Sequence, residues 1–309
     1  MTTLTVRAAA DLFRAEPDRF LDVGAGEAAH RQIGSGPDVL FVHGWPVSGA
    51  TWRKLLPHLV EHVTCHVIDL PSAGSSRFDS DTPMSIAQHI TSVRRVVDLL
   101  GLDSVAVVGH DSGGMIARHA MVGDERLRAM GLINTEPSNP GWRFRSFIAS
   151  RRMPGLSAGL GWVAGAQRIR RMRLVFGDAF VDRSLLEGEF DEFFFQPLHE
   201  MPARRDAAAK LLRSFDMRDV AGLTDIHRRL DVPVQLVWGD KDPFFPVALA
   251  REMLHEFPNA QLDVLDGVGL FSHEEAPDAV AQALLPTLTG TRGALLRRDQ
   301  QQSDRRCSP

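Results

Sequence analysis

The sequence predicts an α/β fold: a mostly parallel sheet covered on both faces by helices. Three observations predict it. Apolar runs of strand length recur along the chain, separated by helix-length segments. One run ends in Gly109-His110-Asp111-Ser112-Gly113-Gly114, the pattern of a strand, a sharp turn and a helix. A long interval, residues 137 to 228, then interrupts the alternation with helical patterns alone. At 309 residues the chain can bury a large core, as one domain with an insertion or as two small domains.

The strands and helices follow in order. The N-terminus carries Arg7, Asp11, Arg14 and Glu16 within a helical pattern, and an antiparallel pair is expected around Arg19 to Ile33. Asp38 to Val42 is a continuous apolar strand ending in His43-Gly44-Trp45-Pro46, and a helix is expected over Thr51 to Val60. Cys65 to Asp69 is the next strand. Ile86 to Leu100 places Ile90, Val93, Val97 and Leu100 at helical spacing, and Gly101 stops it. Ser104 to Val108 leads into the turn, Met115 to Val122 reads as the helix after it, and Met130 to Asn134 as another strand. Val234 to Trp238 and Leu262 to Leu265 are two further strands, with helices between and after.

Composition excludes several classes. Charged residues are 24% and apolar residues 44%, the balance of a soluble globular protein. The net charge of −4 gives no electrostatic reason to expect nucleic acid or an anionic membrane. Cys65 and Cys307 are far apart, so the expectation is a reducing, cytoplasmic setting without a structural disulfide. There is no apolar run long enough to span a bilayer and no signal-peptide pattern. No pattern calls for a metal or cofactor. A small-molecule substrate is the expected partner, acting on a monomer or homodimer.

The turn carries the chemistry. Glycines on either side of Asp111 let the chain adopt a strained conformation that pushes one side chain out above the sheet. The usual occupant of such an elbow is serine. Centring the pattern on Ser112 would require a small residue at position 110, where His110 stands; centring it on Asp111 puts Gly109 and Gly113 in place. A carboxylate nucleophile is therefore expected, the alternative being an aspartate that caps the next helix.

His43-Gly44-Trp45-Pro46, the elbow, Gly239-Asp240-Lys241-Asp242-Pro243 and Ser272-His273-Glu274-Glu275-Ala276-Pro277, in that order and with a helical interval between, resemble the α/β-hydrolase superfamily. The likeness is to its branch with an aspartate nucleophile, the epoxide hydrolases and haloalkane dehalogenases, and covers roughly residues 20 to 288. It implies an eight-stranded core, residues 1–136 and 229–288, with a helical cap, residues 137–228, inserted after the sixth strand; residues 289–309 form a polar tail. It implies that Asp111 attacks an electrophilic carbon to form an ester, and that the N–H groups of Trp45 and Ser112, with His43 beside them, hold the oxyanion. Asp242 matches the acid position, with Asn134 an amide at the alternative one. Within the cap, Trp142, Trp162, Phe180, Phe194 and His199 are candidates to line a substrate cavity, with Leu270 in the core.

Two departures stand out. Counting back seven residues from Pro277, where the resemblance places the water-activating histidine, gives Leu270. His273 lies three positions later. Three alternatives follow: the loop is re-registered so that His273 enters the site, the enzyme does not use that base, or the protein is not a hydrolase and binds or rearranges a small molecule. The chain also contains no tyrosine, the usual donor to an epoxide oxygen in this branch, so His199, Trp142, Trp162 or water would have to serve, and Trp45 could offer its indole N–H.

Overall fold

The computed structural model describes residues 3–173 and 175–291. Cys307 and the polar tail beyond residue 291 lie outside the described residues.

Eight strands form one sheet: β1 (Arg19–Asp22), β2 (Glu27–Gly34), β3 (Asp38–Val42), β4 (Thr64–Asp69), β5 (Val105–His110), β6 (Leu127–Ile133), β7 (Val234–Gly239) and β8 (Ala260–Leu265). The order across the sheet is β1-β2-β4-β3-β5-β6-β7-β8. β1–β2 pair antiparallel, the N-terminal pair expected from sequence; β2–β4 also pair antiparallel, and the remaining neighbours run parallel. β4, β5 and β7 are buried at every position, as continuous apolar runs require when helices cover both faces. β8 lies at the edge and exposes alternate residues.

The core helices are α1 (Val6–Arg14), α2 (Ile86–Leu100) and α3 (Ser112–Met121). Ser85 Oγ accepts from the Gln88 N–H to start α2, and Gly101 ends it in the left-handed region at φ 63°. One expected element differs. Thr51 to Val60 is not an α-helix but two short 3₁₀ turns, Gly49–Trp52 and Leu56–His58. Pro57 supplies no backbone N–H, so an α-helical ladder cannot run through it.

Between β6 and β7 the chain is helical throughout its regular elements: α4 (Trp142–Ala149), α5 (Leu156–Gly165), α6 (Gln167–Arg170), a π-helical turn at Asp191–Phe195, then α7 (Gln196–Glu200), α8 (Pro202–Arg213), α9 (Met217–Ala221) and α10 (Leu223–Arg228). The chain returns through α11 (Val247–Leu254), α12 (Ser272–Glu275) and α13 (Pro277–Leu288). Among the described residues no helix is long and apolar enough to cross a membrane.

A side chain at Gly101 would meet nothing within 4 Å, so only backbone strain opposes one. Gly101→Ala should therefore lower unfolding free energy by about 1 kcal/mol, and Gly101→Asn by less, in urea denaturation. Equal stability of all three would show that the end of α2 is not held in the left-handed region.

Candidate active site

Asp111 sits between the last residue of β5 and the first of α3, at φ 50° and ψ −137°. Such a conformation in a residue with a side chain is held at a cost of about 1–3 kcal/mol and persists only where neighbours enforce it. Three glycines make that enforcement sterically feasible. A Cβ on Gly113 would lie 2.3 Å from the His43 carbonyl, one on Gly109 2.6 Å from the Gly114 Cα, and one on Gly44 2.6 Å from the Asp111 Cβ.

The Trp45 N–H donates to Asp111 Oδ2 at 3.0 Å, and the Ser112 N–H also reaches the carboxylate. Ser112 Oγ lies 3.4 Å from the same oxygen. These donors surround the carboxylate as an oxyanion hole would surround an ester intermediate. Burial pushes the Asp111 carboxyl up to about 6, against the pull of the two N–H groups.

Above Asp111 lies a cavity of about 490 Å³, within the range of small-molecule sites. Its walls are predominantly apolar. Trp45, Leu270, Phe271, Phe244 and Phe245 contribute from the core; Phe144, Phe147, Leu156, Trp162, Phe176 and Leu211 come from the insertion. Among the described residues, the only ionisable groups lining it are Asp111 and Glu136.

Several expected residues are placed elsewhere. Trp142 is 73% exposed and does not line the cavity. Phe180 is buried in packing, stacked on Phe271 at 4.9 Å, and Phe194 packs on Phe190 at 4.6 Å. His199 bonds through Nδ1 to the Gly161 carbonyl, outside the cavity lining. The Trp45 indole N–H is engaged by the Ala208 carbonyl at 3.0 Å, so only its backbone N–H serves Asp111. His43 braces the loop: Nδ1 donates to the Gly44 carbonyl and Nε2 accepts from the Leu70 N–H. Trp162 and Leu270 do line the cavity.

His273 is not brought to Asp111. Its Nε2 pairs with Thr51 Oγ1 at 2.7 Å, and its ring packs on Trp52 and His110, fully buried. Burial holds this imidazole well below its ordinary range, favouring the neutral form. The loop register is pinned on both sides. Ser272 Oγ donates to Asn134 Oδ1, and Glu274 forms a buried ion pair with Arg53. Glu275 accepts from the N–H groups of Gly269, Val181 and Asp182. With both flanks fixed, a shift of three residues would break every one of these bonds. His110 is likewise occupied, donating Nε2–H to the Leu270 carbonyl at 3.1 Å.

Asp242 lacks a histidine partner. Its Oδ1 accepts from the Phe244 and Phe245 N–H groups, and Oδ2 from the Asn134 amide at 2.8 Å. Burial pushes it up to about 7, and the Asp111 charge adds to that.

Sequence reasoning missed Glu136, three residues beyond β6. The signal was a second carboxylate just past the strand next to the elbow strand. Glu136 is 1% exposed, and burial together with the Asp111 charge pushes its carboxyl up to about 8. Thr135 reports the same state geometrically. Its Oγ1 receives Arg118 Nη2–H at 2.8 Å and lies 2.7 Å from the Asp111 carbonyl and 2.9 Å from Glu136 Oε2. One hydroxyl proton cannot serve both oxygens. If Glu136 is neutral, its O–H donates to Thr135, Thr135 donates to the Asp111 carbonyl, and all three contacts are satisfied.

The chain matches the alpha/beta hydrolase family over residues 39–283. It belongs to that family. Among curated relatives, a pimeloyl-[acyl-carrier protein] methyl ester esterase of Xanthomonas campestris is 26% identical over 256 residues, covering 82% of this chain and 95% of the relative. The magnesium-chelatase 30 kDa subunit of Rhodobacter capsulatus is 24% identical, over 82% of this chain and 88% of that protein. Among solved structures, the epoxide hydrolase CorEH has a TM-score of 0.74 at 20% identity, covering 88% of this chain and 98% of that one. An ancestral haloalkane dehalogenase has a TM-score of 0.73 at 20% identity, over 89% and 99%. These structures share the α/β-hydrolase fold.

Glu136 titrates near 4.5 when free and near 8 in the fold. The folded state thus holds the proton more tightly than the unfolded chain. Wild type should lose stability relative to Glu136→Gln as pH rises from about 4.5 to about 8, with no further divergence above. Paired melts across that range measure it. A stability difference that does not change with pH would mean that Glu136 ionises as a free carboxylate does.

Proposed function

We propose that this hydrolase opens an epoxide, or displaces a halide, on a bulky and largely apolar neutral molecule through a covalent Asp111 ester. The observation that carries the reading is a carboxylate, not a hydroxyl, at the strained turn, met by the N–H groups of Trp45 and Ser112 under an apolar cavity. A carboxylate there is suited to attack an sp³ carbon carrying a leaving oxygen or halide. The cavity walls favour an apolar substrate. On this reading the helical insertion acts as the cap, and Asp242, bonded to Asn134 instead of an imidazole, is not in use as an orienting acid.

A second reading has its own observation. Among the described residues no histidine lines the cavity, since Leu270 occupies the expected position and His273 faces Thr51. That would suit a protein that binds or rearranges its ligand without hydrolysis.

Intact-mass analysis after exposure to a panel of epoxides and alkyl halides separates these. Under the first reading wild type acquires an adduct that maps to Asp111, Asp111→Asn acquires none, and Asp111→Ala still folds. Adduct formation undiminished in Asp111→Asn would remove Asp111 from the role. An absence of any adduct or product from wild type would favour the binding protein.

A further inference from the structure

The ester chemistry leaves two proton transfers without a conventional agent: there is no tyrosine to protonate an opened epoxide and no imidazole at the cavity to activate water. We propose that Glu136 carries both protons, as a neutral acid toward the leaving oxygen and then as a carboxylate toward the hydrolytic water. This rests on the Asp111-ester reading.

Four observations converge on it. Glu136 shares the cavity with Asp111 and is the only other ionisable group lining it among the described residues. Its Oε1 is buried and has no hydrogen-bond partner. Its Oε2 sits against Thr135, where a neutral carboxyl completes the hydrogen bonding. The Thr135 hydroxyl lies against both the Asp111 carbonyl and Glu136 Oε2, bridging the segment after β5 to the segment after β6.

The steps balance. Asp111 Oδ attacks an epoxide carbon, the C–O bond breaks, and the released oxygen takes the Glu136 proton, leaving an Asp111 ester, a hydroxyl and a Glu136 carboxylate. Glu136 then removes a proton from water as its oxygen adds to the ester carbonyl, with the oxyanion held by the Trp45 and Ser112 N–H groups. Collapse expels the second alkoxide, which takes the proton back from Glu136. Asp111 is left as an acid and passes its proton to Glu136, the more basic of the two, restoring the starting state. The net reaction is epoxide plus water to diol. With an alkyl halide the first step needs no proton, because halide leaves as the anion. Esterification then removes the Asp111 charge that opposes ionisation of Glu136, which releases its proton to solvent and becomes the base; the net reaction is alkyl halide plus water to alcohol, halide ion and a proton.

The groups facing Glu136 are Asp111, Thr135 and Arg118, with His227 bonded behind Arg118 and Glu256 behind His227. Arg118 stays cationic across the range of interest. Asp242, pushed up to about 7 by burial with the Asp111 charge adding to it, titrates between Asp111 and Glu136, so the three carboxyls together set the pH response.

The test uses styrene oxide and n-hexyl bromide on wild type and Glu136→Gln, followed by intact mass and product release. Glu136→Gln should still be alkylated by hexyl bromide but release hexanol roughly 100- to 10,000-fold more slowly, accumulating ester. Its alkylation by styrene oxide should slow by a similar factor. In wild type, alkylation by styrene oxide should fall below about pH 6 and again above about pH 8, whereas that by hexyl bromide should show only the acid limb. This profile needs no variant and stands if the substitution impairs folding. Wild-type ester release from Glu136→Gln overturns the proposal, as does the lack of an alkaline limb with styrene oxide. Loss of labelling by both probes in a folded Glu136→Gln protein would mean that Glu136 positions Asp111 without carrying protons, and also overturns it. If wild type itself is never alkylated, the Asp111-ester reading fails first, and the shuttle with it.

Discussion

The structure depends on a crowded crossing of backbones beneath Asp111. The loop after β3 and the first turn of α3 approach so closely that Gly44, Gly109 and Gly113 leave no room for a Cβ. That closeness brings the Trp45 N–H within 3.0 Å of the Asp111 carboxylate and keeps Asp111 at a positive φ. Backbone donors fixed in this way need no reorganisation when charge develops on an oxygen placed against them. The same crossing turns the carboxylate away from the sheet and toward the cavity.

Burial then governs the electrostatics. Asp111, Asp242 and Glu136 are all pushed up by desolvation, and the Asp111 charge raises Asp242 and Glu136 further. The resulting order, with Glu136 above Asp111, places an ionised carboxylate next to a protonated neighbour near neutral pH. Like-charged carboxyls in one apolar site separate their proton affinities, and on the proposed reading that separation assigns an acid and a nucleophile.

The loop carrying Leu270 is rigid for structural reasons that have little to do with the cavity. Arg53 and Lys54 close on the buried Glu274, Ser272 bonds to Asn134, and Glu275 gathers three backbone N–H groups. His273 is thereby committed to Thr51 and the aromatic face of Trp52. Asn134, in turn, bridges Ser272 to Asp242, so the amide occupies the space between an acid and a loop whose histidine is turned to Thr51.

Much of this was legible in the chain itself. Apolar runs such as Val105–His110 and Val234–Gly239 are readable because strands buried on both faces have no polar alternation to obscure them. The spacing of Gly109 and Gly113 around Asp111 marked the turn because only glycine tolerates the close approach there. The break in alternation marked the helical insertion. Sequence by itself also determined the absence of tyrosine and the leucine at position 270. Only the tertiary structure decided which aromatics face the cavity, since Phe residues outside a regular helix carry no periodicity that marks their side: Phe176 lines the cavity while Phe180, four residues on, packs on Phe271. It alone decided that His273 is spent on Thr51 and the Trp45 indole on Ala208, because those partners are distant in sequence. And it alone brought Glu136 to Asp111. A lone glutamate past a strand reads as a surface charge until the neighbouring strand and the insertion bury it, and the loss of water is what raises its proton affinity.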